Sequence, residues 1–132
     1  MDYKVLLEKA DAARLAAYAP YSRFTVGAAL LTADGSIYTG CNIENASYSA
    51  TVCAERTAIF TAIADGKREF VALAISGAPA ESKGQLCLPC GVCRQVLAEF
   101  CTADFPVIVG TSDDMTVYTL GQLLPCGFQL PD

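Results

Sequence analysis

Apolar side chains recur at Tyr3, Leu6, Leu7, Ala10, Ala13 and Ala17, with Lys4, Glu8, Asp11 and Arg14 between them. That spacing predicts a helix over residues 3 to 18, N-capped by Asp2 and ended by Pro20. Phe24, Val26, Ala28 and Leu30 alternate with other residues, which is the period of a strand. Asp34-Gly35 is a hairpin turn signal, and residues 37 to 42 form the returning strand. A polar loop follows from Asn42 to Ser49. Cys53 opens a second helix that closes near Asp65-Gly66, a glycine stop signal. Ala54, Ala58, Ile59 and Ala62 give this helix small apolar residues for close packing. Residues 70 to 75 are a near-continuous apolar run, predicted as a buried central strand. Gly77 to Gly84 reads as a loop, and Cys93 to Cys101 as a helix with Val96, Leu97 and Phe100 facing inward. Val107-Ile108-Val109 is a short buried strand, with a turn at Ser112-Asp113-Asp114. Val117 and Tyr118 belong to a last, edge strand. Leu120 to Leu124 is a short helix stopped by Pro125. Helices alternating with strands in this order predict an α/β fold: a three-layer helix–sheet–helix sandwich on a central mixed five-stranded sheet.

The 132 residues suffice for one domain, 1–132, with a sizeable core. No repeat or linker divides them. The apolar runs are too short to cross a bilayer, and the N-terminus, Met1-Asp2-Tyr3-Lys4, lacks a signal-peptide core, so a cytoplasmic protein is expected. A net charge of −5 argues against a basic groove for nucleic acid or an anionic membrane and favours a small-molecule substrate. Seven cysteines, in such a chain, read as metal ligands and buried thiols rather than a disulfide framework. Histidine is absent, which excludes a Ser-His-Asp triad, a Cys-His dyad and a His-ligated zinc. A carboxylate in a tuned environment is then the agent for proton chemistry near neutral pH.

Two stretches concentrate this chemistry. Cys53-Ala54-Glu55-Arg56 reads C-x-E, and Pro89-Cys90-Gly91-Val92-Cys93 reads P-C-x-x-C. Cys90 and Cys93 are spaced to chelate one metal ion, and Cys53 supplies a third thiolate. Three soft ligands suit Zn²⁺ and leave a fourth position for water. Glu55 lies about 200° round a helix from Cys53, which makes it a poor co-ligand and a candidate proton carrier. Both motifs fall at predicted helix starts, where partial positive charge stabilises thiolates. Arg56 is expected to donate to a thiolate sulfur from outside the ligand set. Cys87-Leu88-Pro89-Cys90 is also C-x-x-C, so a closed structural site with Cys87 as fourth ligand remains an alternative. Cys41, Cys101 and Cys126 read as buried thiols.

C-x-E with P-C-x-x-C is the pattern of zinc-dependent base deaminases. Residues 18–29 (YAPYSRFTVGAA), 40–49 (GCNIENASYS), 53–58 (CAERTA), 89–96 (PCGVCRQV) and Leu123-Leu124-Pro125 with Phe128 narrow the likeness. The sequence resembles the cytidine deaminases of the short, zinc-dependent, homotetrameric kind. That resemblance implies deamination of cytidine and deoxycytidine to uridine and deoxyuridine, with release of ammonia, in pyrimidine salvage. It implies one zinc per subunit on Cys53, Cys90 and Cys93, with Glu55 as proton shuttle. It places Asn42 and Glu44 on the ribose hydroxyls, Phe24 beneath the nucleoside and the Ala54 N–H at the pyrimidine carbonyl. Tyr48 and Phe128 would complete a neighbouring subunit's pocket. Cys126-Gly127 departs from the Gly-Ala that the family pattern has before Phe128. A relative acting on another aminopyrimidine, or a structural zinc module that binds a partner protein, are the alternatives.

Overall fold

The structure is a computed structural model that describes residues 2–82, 84 and 87–131. Met1, named above, and Lys83, within the stretch Gly77 to Gly84 read above as a loop, lie outside them.

The elements are α1 (Tyr3–Ala13), β1 (Phe24–Thr32), β2 (Ile37–Cys41), α2 (Ala54–Ala64), β3 (Phe70–Pro79), α3 (Gly91–Phe100), β4 (Pro106–Gly110), β5 (Met115–Thr119) and α4 (Leu120–Leu123). The strands form one mixed sheet in the order β2-β1-β3-β4-β5. β1 is antiparallel to β2 and to β3, β3 is parallel to β4, and β5 returns antiparallel at the edge.

Alternation along the strands sorts their side chains onto two faces. Ala28, Leu30, Leu73, Ile75, Val107 and Val109 point to one face and pack with Ala58, Ile59 and Ala62 of α2 and Leu97 of α3. Ala29, Leu31, Ala72, Ala74 and Ile108 point to the other and meet Leu6, Leu7 and Ala10 of α1. The result is the three-layer sandwich expected. Because both faces are covered, β1 is buried continuously from Ala28 to Thr32 instead of alternating with solvent.

Several boundaries differ from the sequence reading. α1 ends at Ala13, continues as a 3-10 turn over Arg14–Ala16, and is extended at Ala17. The chain turns there because the Tyr18 N–H donates to Asn42 O and the Glu44 N–H to Tyr18 O, an edge pairing that a helix would forbid. Arg14, which the spacing set apart from the apolar positions, is buried. Its guanidinium binds Asp11, Thr25 and the carbonyl of Ser82. β3 runs on through the predicted loop start to Pro79, because Gly77, Ala78 and Pro79 still pair with Val26, Thr25 and Phe24. Ladder pairing needs only backbone, so small residues there gave no apolar signal. α3 starts at Gly91, with Cys90 rather than Cys93 at its mouth: the Arg94 N–H donates to Cys90 O, closing the first turn. Of the three cysteines read as buried, only Cys101 is. Cys41 is half-buried, and Cys126 is exposed because it lies beyond α4, where no element covers it.

Ile75 sits at the centre of β3, fully buried between neighbours on both sides. Ile75→Ala is expected to cost about 2–5 kcal/mol of unfolding free energy. Urea denaturation of the chelator-treated protein reads this directly, and a loss below about 1 kcal/mol would show that the core is not packed as described.

Candidate active site

β2, β3 and β4 run in one direction, since β2 and β3 are both antiparallel to β1. α2 follows β2 and α3 follows β3, so both helices begin at the same end of the sheet. That end, beyond the carboxyl ends of the parallel strands, is where open α/β sheets form their sites. Cys53 is the N-cap of α2 and Cys90 the N-cap of α3, both in extended conformation, and Cys93 lies in the first turn of α3.

The two helix mouths meet at sulfur. Cys53 Sγ lies 3.4 Å from Cys90 Sγ, and Cys90 Sγ 3.3 Å from Cys93 Sγ. The group is positioned to hold a metal ion. Cys87 does not belong to it. A Zn–S bond of about 2.3 Å would put the sulfurs of a tetrahedral site about 3.8 Å apart, so a small outward relaxation accommodates zinc. The donor set, three soft thiols and no carboxylate, fits that ion.

The electrostatics favour the thiolate at Cys53. Cys53 is lowered to about 5, first by the hydrogen bond from the Cys93 thiol and then by Arg56. Cys93 is raised in return, as the proton donor to Cys53. Arg56 Nη2 donates to Cys53 Sγ at 3.4 Å, and Arg56 Nε is buried with no hydrogen-bond partner among the described residues. The guanidinium is held beside the sulfurs rather than in a surface ion pair.

Glu55 is 4% exposed at the first turn of α2. Burial lifts its carboxyl to about 7, while its own backbone amide and the Cys93 thiol pull the other way. A carboxyl near 7 both accepts and returns a proton at neutral pH. Ala54 is fully buried beside it, and its N–H is one of the first-turn donors that the helix leaves without a carbonyl partner.

Two glycines allow the backbone to crowd in. A Cβ on Gly40 would lie 2.5 Å from Ala54 O and from Ala58 N, so β2 touches the first turns of α2. A Cβ on Gly77 would lie 2.8 Å from Cys87 Sγ and 3.0 Å from the Phe24 ring. Phe24 and Cys87 therefore pack together over β3, and burial pushes the Cys87 thiol up to about 11. The sequence reading weighed Cys87 only as a ligand. It also missed Thr57, whose hydroxyl joins Cys41 N, Cys41 O and Ala54 O, and the role of Arg94, which ties Pro89 O to Leu123 O.

Asn42 lies just past β2, with Oδ1 accepting from the Val26 N–H and Nδ2 donating to Phe24 O. Glu44 accepts from the Tyr21 and Ser22 amides and from the Ser22 hydroxyl. Both side chains thus brace the segment that carries Phe24. Tyr48, in a 3-10 turn, is 84% exposed, and Phe128 is 65% exposed in the C-terminal segment. No described contact joins either to the thiols of the same chain.

The buried Glu55 carries a pH signature in the metal-free chain. Its ordinary value is 4.5 and its folded value about 7. Between these the folded chain holds a proton that the unfolded chain has released, so stability falls as pH rises from 4.5 through about 7. Glu55→Gln removes this loss. After chelation, the Gln variant is expected to melt above the unsubstituted chain at pH 8, with the gap closing towards pH 5. An equal gap at both pH values would show that Glu55 is not buried as described.

The zinc-binding region of the cytidine and deoxycytidylate deaminases matches residues 2–111 of the chain. The cytidine deaminase of Sporosarcina psychrophila is 50% identical over 133 residues, spanning 100% of this chain and 95% of that protein. The cytidine deaminase of Halalkalibacterium halodurans is also 50% identical, over 100% of this chain and 98% of its own. Among solved structures, the cytidine deaminase of Burkholderia pseudomallei superimposes with a TM-score of 0.88 at 47% identity, covering 97% of this chain and 100% of that one. With its sheet, its converging helix mouths and its three-thiol group, the chain belongs to the zinc-dependent cytidine and deoxycytidylate deaminase family.

Proposed function

We propose that the chain, as one catalytic domain over residues 1–132, deaminates cytidine and deoxycytidine hydrolytically. The observation that carries this reading is the placement of a buried carboxyl, Glu55, two residues from a thiol group suited to zinc. Cys53, Cys90 and Cys93 hold one zinc ion per subunit. Bound there, zinc supplies a Lewis acid that acidifies water at neutral pH. The chain's own groups do the rest. Glu55 accepts a proton from water and delivers it to ring N3 while the water oxygen bonds to C4; it then carries the proton of that new hydroxyl to the amine, the C4–N bond breaks, and ammonia leaves with uridine remaining. The Ala54 N–H meets the pyrimidine carbonyl and Phe24 packs beneath the nucleoside. Asn42 and Glu44 receive the ribose hydroxyls. Arg56 offsets the surplus negative charge of three thiolates around a divalent ion.

The bare, exposed aromatics Tyr48 and Phe128 support a homotetramer in which each completes a neighbour's pocket. Among the described residues no helix is long and apolar enough to cross a membrane, which agrees with a cytoplasmic enzyme of pyrimidine salvage.

Ammonia release from cytidine, with 5′-CMP and cytosine alongside, tests the reading. Fast release from cytidine alone is expected, and release from none by the zinc-loaded protein would remove it. Glu55→Gln is expected to retain zinc and lose about 10²–10⁴-fold in kcat. Full turnover by that variant would exclude Glu55 as the proton carrier. Glu44→Ala is expected to raise KM for cytidine about tenfold or more while cytosine changes little. Equal losses on both compounds would count against the sugar contact.

A further inference from the structure

The carboxylate of Glu44 is already largely committed within the chain. Its Oε1 accepts the Tyr21 N–H at 3.0 Å and the Ser22 N–H at 3.1 Å. Its Oε2 accepts the Ser22 hydroxyl. An ionised carboxylate has about four acceptor sites, so three are filled and one on Oε2 stays open. The Ser22 hydroxyl is itself fixed: its oxygen accepts the Phe24 N–H at 3.0 Å, which leaves its single proton to Glu44. The intervening Arg23 sits in the left-handed region at φ +58°, so the Ser22-Arg23-Phe24 turn is a defined conformation. Ser22 also holds Glu44 in its ionised, acceptor-only form, since its hydroxyl is the largest cause lowering that carboxyl below the ordinary value.

We propose that Ser22 is a positioning residue for sugar recognition: through its hydroxyl and backbone amide it orients Glu44 so that one open acceptor site remains for one sugar hydroxyl. The inference rests on the reading of Glu44 as a sugar contact. It adds that selectivity for a hydroxylated sugar depends on a serine that touches no part of the substrate. Without that hydroxyl, Oε2 has two open sites and the carboxylate is free to turn about its side-chain bonds. Binding of a hydroxyl donor then weakens, while a nucleoside that offers no such donor is little affected.

The test is steady-state kinetics of Ser22→Ala, Ser22→Thr and Ser22→Val on the zinc-loaded enzyme, with cytidine and 2′,3′-dideoxycytidine as substrates. Thr and Val share one shape and differ in the hydroxyl, and melting temperatures report folding for each variant. Ser22→Ala and Ser22→Val are expected to raise KM for cytidine about tenfold, with kcat within about twofold. KM for the dideoxynucleoside is expected to move by no more than about twofold, and Ser22→Thr to recover most of the cytidine affinity. Equal KM increases on both nucleosides, or equal behaviour of Thr and Val, would overturn the proposal. Glu44→Ala run in parallel separates the two layers. If it distinguishes the nucleosides and Ser22→Ala does not, Ser22 alone falls. If Glu44→Ala fails to distinguish them, the sugar reading falls and takes Ser22 with it.

Discussion

Three thiol sulfurs within a few ångströms of one another repel once ionised, and the rest of the site depends on what makes their approach tolerable. Two helix N-termini open onto them, and the Arg56 guanidinium donates from the side. The sheet enforces the meeting. Because β2 and β3 point the same way, the helices that follow them start at one end, and their N-caps converge. Reverse either strand and Cys53 and Cys90 would sit at opposite ends of the molecule.

Glu55 inherits its chemistry from this arrangement. Its place two residues after an N-cap buries its carboxyl beside the Cys93 thiol, where desolvation opposes ionisation. Burial of an acid is ordinarily destabilising, and here it places the proton affinity of the group near neutrality. The close backbone approach of Gly40 to Ala54 and Ala58 packs β2 directly against that first turn.

The polar loop after β2 does double service. Asn42 extends the ladder of β1 with its side-chain amide, and Glu44 gathers the Tyr21 and Ser22 amides. The same two residues thus serve the fold and, in the proposed reading, the substrate. The same economy appears in the second motif, where Arg94 fixes the Pro89 carbonyl ahead of Cys90 and reaches Leu123 near the chain's end.

Local pattern was enough to show the helices, all five strands, the sandwich class and the two metal motifs. Period and spacing are properties of neighbours in sequence, and so are C-x-E and C-x-x-C. Boundaries escaped where backbone pairing, not side-chain polarity, decided them, as at Ala17 and Gly77–Pro79. Only the tertiary structure could leave Cys87 outside the thiol group by distance, bury Arg14 among Asp11, Thr25 and Ser82, and leave Cys126 in the open. It alone showed that Ser22 answers Glu44 across more than twenty positions of chain. A residue's own chemistry is written in its side chain, but its desolvation and its partners are set by segments far away in sequence. Those the sequence by itself does not order in space.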